Sequence, residues 1–569
     1  MKNSIVLADS FMVLEWYKKN TIYQIYPRSF KDTSGNGIGD LRGIIEKLDY
    51  LKSLHIEIIW ISPIFESPNK DNGYDVSDYC AIMPEFGNMD DFDELLDIAH
   101  SKGLKIVLDL VPNHTSNEHK WFKNAKTSVD NKYRDYYIWK KPKADGGPPN
   151  NWPSFFGGPA WTLDESSGEY YLHLFTKYQP DLNWENPKVR EEIYKAMRFW
   201  LDKGVDGFRM DVVTLLSKDL SFKDVDLNIG FRKIIEDHYA NGPKIHDYLK
   251  EMNDQVMQHY DAFSMGEGVG ITPENAHLYV GADRKELDMI YHFDILENNI
   301  LDGKYEEVTS FDLLQLKQVF RNWQTVFENK GWIANALGNH DFARLVSRFG
   351  NDKNYRTESA KMLVTMMATQ NGTLNIYQGD EIGMTNIHLD DIDKVNDIQA
   401  LNFYVENLET KKFTSEVALQ MINNEGRDNA RTPMQWDNSE FAGFSIIKPW
   451  LQLNPNFTDL NVLNQSQDRN SILNYYKKLF SVKKDYDIFS YGSYEEFEKQ
   501  NKYIYMYEKM LNDQKMLVIL SFSNLEIVID YKIKKLKTYK LLLNNYNFVN
   551  IDNYKITLKP FQSLVYMSN

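Results

Sequence analysis

The chain has 569 residues, more than one ordinary domain needs, and its hydrophobic fraction of 42% suits a globular protein with a large core. A net charge of −16 argues against a phosphate-backbone partner, so we expect no binding of nucleic acid. Cys80 is the single cysteine, which excludes an intrachain disulfide and favours a reducing, cytoplasmic location.

Residues 4–14 form a mildly apolar N-terminal segment that Asp9 interrupts. No small-residue cleavage site follows it, so we interpret it as a tail or packing segment rather than a signal peptide. A membrane span needs about 18 consecutive apolar residues, and the sequence has no such run. We therefore expect no membrane association, and we expect a monomer.

Short, nearly continuous apolar runs alternate with helical patterns through most of the chain. The runs predict strands buried on both faces at residues 21–27, 56–64, 105–112, 205–213, 263–270, 286–293, 332–339 and 373–380. Helices are predicted at residues 40–54, 89–102, 187–203, 311–329 and 355–370. This alternation predicts an α/β fold, a parallel (β/α)8 (TIM) barrel, since a doubly wound open sheet seldom has so many strands.

Three stretches depart from the alternation. Residues 113–185 are too many for one crossover between strands, so we expect a small inserted domain that overhangs the barrel mouth. Residues 381–465 follow the last strand and predict a second wall. From 487 to 569, short alternating runs predict a C-terminal antiparallel β-sandwich domain. Residues 1–112 and 186–486 then form the barrel.

Charged residues gather at the C-terminal ends of the predicted strands, where a barrel collects its catalytic groups. Asp211 and Glu267 end two different strands, and opening a glycosidic bond requires two such carboxyl groups. Arg209 points to the same side of its strand as Asp211 and should lower the pKa of that carboxyl. Each residue alone could be a strand-end cap; it is their joint placement that indicates a site.

The same strand ends carry a set of motifs. DLVPNH (109–114), GFRMDVV (207–213), the glutamate of MGEG (265–268) and GNHD (338–341) resemble the four core motifs of the α-amylase superfamily, glycoside hydrolase family 13. QPDLN (179–183) is similar to the fifth motif of its oligo-1,6-glucosidase group. Further matches are QIYPRSF (24–30), NGYDVSDY (72–79), YQGDEIGM (377–384) and GRDNARTPMQW (426–436).

The resemblance implies the roles of individual residues. Asp211 would be the nucleophile, Glu267 the acid/base and Asp341 the stabiliser of the transition state. Asp71 and Arg427 would pair and close the bottom of the pocket, so that it trims terminal glucose from a small oligosaccharide. The remaining residues implied to line the glucose subsite are Tyr74, which stacks under the ring, His114, Phe175, Gln179, Arg209 and His340.

Some positions depart from the usual pattern of the resembled group. Gly268 and Val269 follow the acid where relatives often carry Met-Pro. Phe342 replaces a glutamine, and Gly338 stands in an otherwise asparagine position. These positions flank the leaving-group side, so they bear on substrate choice rather than on the chemistry.

Residues 32–40 form a candidate metal loop, DTSGNGIGD. Asp32, Ser34, Asn36, the Ile38 carbonyl and Asp40 alternate as in the first nine positions of an EF-hand, but the glutamate of position twelve is missing. From spacing alone, a hydrogen-bonded turn that leads to a helix capped by Asp40 is favoured. The resemblance instead implies a structural Ca²⁺ site, occupied by Mg²⁺ in some relatives, and no cofactor for catalysis.

Three functions remain open. The leading hypothesis is a retaining, exo-acting α-glucosidase of short α-1,6-glucosides, because Val212 after the nucleophile resembles the α-1,6-acting members. A sucrose- or α-1,4-active α-glucosidase, or a sucrose isomerase or transglucosylase, would use the same site. The isomerases' arginine-rich run is absent from residues 293–307, which disfavours that alternative. A catalytically inactive binding module would have lost the carboxylates that are present here.

Overall fold

A computed structural model describes residues 16–297, 311–328, 330–530, 539–552 and 555–568. The predicted tail at 4–14 and part of the segment 293–307 lie outside these residues. No helix among the described residues is long and apolar enough to cross a membrane.

Eight parallel strands form one sheet, in agreement with the eight predicted runs. They are β1 (Ile22–Ile25), β2 (Ile58–Ile61), β3 (Lys105–Leu110), β4 (Gly207–Met210), β5 (Phe263–Gly268), β6 (Met289–His292), β7 (Ala334–Ala336) and β8 (Thr373–Tyr377). Their order is β6-β5-β4-β3-β2-β1-β8-β7, and a parallel bridge between Ile290 and Ile333 closes β6 onto β7. The strands therefore form a barrel.

Helices surround the barrel and follow the predicted patterns. In the helix Pro187–Asp202, the side chain of Asn186 caps the first turn and Gly204 follows the last turn with a φ of +105°. Other α-helices around the sheet are Leu41–Glu46, Leu48–Ser53, Met89–Ser101, Ile245–Gln255, Pro273–Val280, Leu313–Glu328, Leu345–Phe349, Arg356–Ala368 and Ile472–Asp485.

The stretch between β3 and β4 contains its own small sheet and covers one side of the barrel mouth. Its strands are Trp139–Lys140, Trp161–Asp164 and Glu169–Leu172, with the helix Lys120–Ala125. A buried ion pair of 2.9 Å joins Asp181 of this stretch to Lys218, which follows β4. Asn150 and Trp152 also donate hydrogen bonds to the backbone carbonyls of Phe222 and Lys223.

The stretch after β8 forms the expected second wall, with helices Ile398–Thr410, Ser415–Glu425, Asp428–Arg431 and Val462–Gln467. The C-terminal part is antiparallel, as predicted. One sheet contains Ser493–Phe497, Ile504–Leu511, Gln514–Ser521, Ser563–Ser568 and Tyr539–Asn544; a second contains Ile527–Asp530, Lys555–Leu558 and Asn550–Asp552.

Candidate active site

A pocket of about 540 Å³ opens at the C-terminal ends of the barrel strands. The inserted stretch and the helix Ile398–Thr410 both contribute to its wall, and Asn402 of that helix donates a hydrogen bond of 2.9 Å to the Phe156 carbonyl. Predicted site residues on its surface are Asp71, Tyr74, His114, Phe175, Gln179, Asp211, Val212, Glu267, Asp341 and Arg427. The folded chain therefore brings ten of the twelve predicted side chains to one cavity.

Arg209 and His340 lie directly behind the side chains that line the cavity. Both are completely buried behind it. His340 stacks on Tyr74 with ring centroids 5.2 Å apart, and its Nε2 lies 3.2 Å from Asp341 Oδ2. These two residues therefore support the wall of the pocket.

Arg209 is the centre of the carboxylate cluster. Its Nη1 lies 2.8 Å from both Asp109 Oδ1 and Asp211 Oδ1, and its Nη2 lies 2.8 Å from Glu267 Oε1. The register of the sheet explains this, because Asp109 pairs with Arg209 across β3 and β4. One guanidinium cannot neutralise three carboxylates, so the cluster favours keeping a proton.

The expected low pKa of Asp211 is wrong in direction. Burial and the neighbouring Glu267 carboxyl, which also hydrogen-bonds to Asp211, raise the pKa of Asp211 well above its usual value. Arg209 acts in the predicted sense and lowers it, but it is shared with Asp109 and Glu267 and is outweighed. The sequence shows that Arg209 lies close to Asp211, but it does not show that Asp109 and Glu267 contact the same guanidinium.

Tyr291 is a site residue that the sequence analysis missed. Arg209 Nη2 donates to its hydroxyl at 2.7 Å, and that hydroxyl donates to Glu267 Oε1 at 2.8 Å. Tyr291 lies on β6 opposite Glu267 on β5. The sequence did place Tyr291 on the sixth predicted strand, where its side chain could face the barrel interior. Tyr291 belongs to none of the motifs, however, so it was not singled out.

The bottom of the pocket is a network of ion pairs. Arg427 Nη2 lies 3.2 Å from Asp71 Oδ1 and 2.8 Å from Asp397 Oδ1. Arg431 Nη2 lies 3.1 Å from Asp341 Oδ1. The predicted Asp71–Arg427 pair is confirmed, whereas Asp397 and Arg431 were missed. Arg431 lies inside the GRDNARTPMQW motif, but no motif marks Asp397.

Gln179 and His114 complete the base of the pocket. Gln179 donates to Asp71 Oδ2 at 3.1 Å, and its amide nitrogen lies 3.3 Å from His114 Nε2. Burial lowers the pKa of His114 to about 4, so this imidazole is neutral at pH 7. Together these groups present hydrogen-bonding atoms at the closed end of the cavity.

Phenylalanines line much of the wall of the pocket. The replacement at Phe342 belongs to this group, with its ring centroid 5.9 Å from that of Phe293. Flat apolar rings suit the faces of sugars. The phenylalanines that line the cavity are Phe155, Phe156, Phe175, Phe231, Phe293, Phe342 and Phe403.

The glycine at position 268 has a local structural cause. A Cβ atom on Gly268 would lie 2.6 Å from Ile271 Cγ2 and 3.1 Å from Ile290. The side chain of Ile271 therefore occupies the space that a bulkier residue at 268 would need. With glycine at position 268, Ile271 fills the space next to Glu267 that a larger residue at 268 would otherwise fill.

The candidate metal loop is extensively hydrogen-bonded. Asp32 accepts hydrogen bonds from the Gly35 and Gly37 amides and from the Ser34 and Ser445 hydroxyls. Although partial burial raises the pKa of Asp32, these hydrogen bonds lower it overall. Asp40 caps its helix as expected, accepting from the Gly43 amide at 2.7 Å.

Two carboxylates lie close together in this loop. Ser34 donates from its hydroxyl to Asp32 and from its amide to Asp40 Oδ2 at 3.0 Å. Among the residues that the structure describes, no group of three or more His, Cys, Asp or Glu side chains is arranged to hold a metal. A cation here would therefore need the Ser34, Asn36 and Ile38 oxygens as well.

The chain matches known proteins over nearly its whole length. The family model described as the catalytic domain of alpha amylase matches residues 24–492. The chain is 48% identical to the oligo-1,6-glucosidase of Bacillus cereus, over 98% of this chain and 100% of that one. It is 44% identical to the trehalose-6-phosphate hydrolase of Bacillus subtilis, over 97% and 98%.

Solved structures are similar over the same length. The trehalose-6-phosphate hydrolase of Bacillus licheniformis superposes with a TM-score of 0.92 and 44% identity, covering 97% of this chain and 99% of that one. The isomaltulose synthase of Protaminobacter rubrum superposes with a TM-score of 0.93 and 42% identity, covering 98% and 99%. From the family match over residues 24–492 and from these relatives, the chain belongs to the α-amylase family of glycoside hydrolases.

Proposed function

We propose that the protein is a retaining, exo-acting α-glucosidase that hydrolyses short α-1,6-linked gluco-oligosaccharides from the non-reducing end. The main observation behind the proposal is that the Asp211 and Glu267 carboxyl groups contact one guanidinium, that of Arg209, in a pocket whose bottom is closed. Arg209 lies 2.8 Å from both Asp211 and Glu267, and Arg427 closes the bottom through Asp71 and Asp397. Relatives named oligo-1,6-glucosidase support the substrate class.

The carboxyl geometry favours retention. An inverting enzyme needs a gap of about 6.5–9.5 Å between its carboxyl groups for a water molecule. Retention needs the two groups only about 5–5.5 Å apart. Asp211 and Glu267 each lie 2.8 Å from the same Arg209 guanidinium, which holds them close together. In the first step Asp211 bonds to the anomeric carbon, the glycosidic C–O bond breaks, and Glu267 protonates the departing oxygen. In the second step Glu267 takes a proton from water, whose oxygen displaces Asp211.

The pocket bottom explains the exo action. Terminal glucose can enter only until its far hydroxyls meet Asp71, Arg427 and Asp341, which join at the closed end. A longer chain must extend outward past the phenylalanines. Asp341, whose side chain is 26% exposed, is the carboxylate available to hold sugar hydroxyls as charge develops at the anomeric carbon.

Chromatography of products from isomaltose, maltose, sucrose and trehalose tests the substrate class. We expect glucose from isomaltose, and proton NMR should show the α-anomer before mutarotation. Initial release of β-glucose would exclude retention. Conversion of sucrose mainly to an isomer would favour the second candidate, a sucrose isomerase, which the likeness to the isomaltulose synthase supports.

We further propose that the loop of Asp32, Ser34, Asn36, Ile38 and Asp40 holds a structural Ca²⁺, with Mg²⁺ as the alternative. The two carboxylates bridged by Ser34 support this. Thermal unfolding of metal-stripped protein with and without added Ca²⁺ tests it, with Asp32→Asn as the control variant. An unchanged unfolding temperature would leave the loop as a hydrogen-bonded turn. We also propose a cytoplasmic monomer, in keeping with the lone Cys80.

A further inference from the structure

Val212 has a backbone conformation that its side chain disfavours. Its φ of +36° and ψ of +42° lie in the left-handed region. A β-branched residue is a clear outlier there, and such strain collects at functional sites. Among the described residues, Val212 is the one β-branched residue with positive φ.

The strained backbone points its amide at the proposed acid/base. The Val212 N–H donates to Glu267 Oε2 at 2.8 Å. The other oxygen, Oε1, accepts from the Tyr291 hydroxyl at 2.8 Å and lies 2.8 Å from Arg209 Nη2. Both oxygens of Glu267 are therefore held, and Oε2 is held by the main chain of the residue that follows the nucleophile.

The path of the chain shows why this conformation occurs. Asp211 still belongs to the sheet ladder, since its amide donates to the Leu110 carbonyl at 2.8 Å. One residue later the chain enters the short turn Val213–Leu215, closed by a bond from the Leu215 amide to the Val212 carbonyl. A left-handed residue between strand and turn directs its amide across to β5.

A second bond ties the same turn to the residues after Glu267. The Thr214 hydroxyl donates to the Val269 carbonyl at 2.6 Å. Asn241, whose amide donates to the Thr214 carbonyl at 3.0 Å, also donates from its side chain to the Gly270 carbonyl at 2.7 Å. The end of β5 is thus fixed to the turn after Asp211 at two places besides Glu267.

We propose that Val212 is a positioning residue whose strained main-chain amide fixes the orientation of the Glu267 carboxyl against the nucleophile. The inference rests on the proposed glucosidase function and deepens it. The backbone of residue 212 orients the acid/base, and its side chain borders the leaving sugar. Val212 then connects the acid/base Glu267, which lies on β5, with the space for the leaving sugar next to the nucleophile Asp211.

The amide can be removed without changing any side chain. Replacing Val212 with the matching α-hydroxy acid, introduced by nonsense suppression in the full chain, converts its N–H to an ester oxygen. An N–H donor favours the carboxylate form of its acceptor, so its loss should move the alkaline limb of the kcat/KM profile to higher pH. The kcat on isomaltose should fall about tenfold, with KM nearly unchanged, because general acid catalysis depends on placement.

An activated substrate separates this effect from general damage. 4-Nitrophenyl α-glucoside has a leaving group that needs little protonation, so its glucosylation rate should change less than about threefold. Suppression with valine itself at position 212 gives the matched control protein. Wild-type rates and an unmoved alkaline limb in the ester variant would overturn the proposal, while an inactive wild type would instead overturn the proposed function.

Glycine variants test the strain independently. Glycine adopts positive φ freely and keeps the N–H, so Val212→Gly should leave the alkaline limb in place, although the loss of the buried side chain should lower the unfolding temperature. Ala442, with a φ of +57° and far along the chain, is the control. Ala442→Gly should raise the unfolding temperature without any kinetic effect. If Val212→Gly moved the alkaline limb as much as the ester does, the valine side chain and not the amide would position Glu267.

Discussion

Arg427 and Asp71 are separated by 356 positions in sequence, yet their side chains form an ion pair of 3.2 Å at the bottom of the pocket. Asp397 shares the same guanidinium at 2.8 Å and also accepts from the Arg427 amide. Burial raises the pKa of Asp71 even though Arg427 lowers it. Of the two carboxylates that contact the Arg427 Nη2 atom, only Asp71 therefore lines the cavity.

Asp71→Ala should weaken the binding of terminal glucose more than it weakens the fold. Arg427 keeps Asp397 as a partner, so the loss of stability should be about 1–3 kcal/mol, the cost of one broken hydrogen-bonded contact. Isomaltose KM and the free energy of unfolding measure the two effects. Asp397→Ala is the control: it removes the shorter contact and the acceptor of the Arg427 amide but leaves Asp71 in place, so it should cost at least as much stability as Asp71→Ala without removing a side chain that lines the pocket. Equal KM with wild type in Asp71→Ala would contradict the role.

Glu267→Gln should keep activity on substrates with good leaving groups and lose it on isomaltose. Glutamine cannot donate the proton that the departing sugar oxygen needs, and general acid catalysis contributes about 10²- to 10⁴-fold. Pre-steady-state glucosylation of an aryl glucoside, compared with isomaltose hydrolysis, measures the difference. Tyr291→Phe removes one donor to the same carboxyl and should cost far less. Equal losses on both substrates would assign Glu267 another role.

Val212→Ala should raise kcat/KM on maltose relative to isomaltose. The stiff β-branched side chain is 5% exposed and lines the pocket, where it can obstruct the path of an α-1,4-linked leaving sugar. Removing methyl groups is worth about 1–3 kcal/mol, so the ratio should change tens- to hundreds-fold. Val213→Ala, at a neighbouring buried residue that does not line the pocket, is the control. A ratio unchanged from wild type would refute the proposal.

His292 should make the fold sensitive to acid. Its ring stacks on Trp323 at 3.6 Å, and neither ring nitrogen has a hydrogen-bond partner among the described residues. Burial lowers the pKa of His292 from 6.5 to about 4. Between these values the unfolded chain binds a proton that the folded chain does not, so stability falls as the pH falls, by up to about 3 kcal/mol.

Denaturant unfolding at pH 7 and pH 5 measures this contribution. His292→Phe keeps the stacking and cannot be protonated, so its stability should fall less between the two pH values than that of wild type. His259→Gln, at an exposed position, should follow wild type. If His292→Phe lost as much stability as wild type on acidification, the titration would belong to other groups.

The sequence predicted the barrel well because each strand is a short apolar run and each helix has a distinct period. The strand ends also predicted Asp211 and Glu267, since parallel strands direct their C-terminal ends to one mouth. Tyr291 and Asp397 could not be predicted, because their roles depend on which long-range partner each side chain meets. The left-handed turn at Val212 also left no signal, since valine is not a residue that predicts positive φ.

The ion pair between Asp181 and Lys218 has a consequence for the order of folding during synthesis. Asp181 is buried in the inserted stretch, but its cation lies 37 positions later along the chain, beyond β4. Until Lys218 has been synthesised, the inserted stretch has a buried carboxylate without its partner and an incomplete apolar face around Trp152. We therefore expect a chain that ends before residue 218 to leave this stretch accessible to proteases, even though all of its own strands are present.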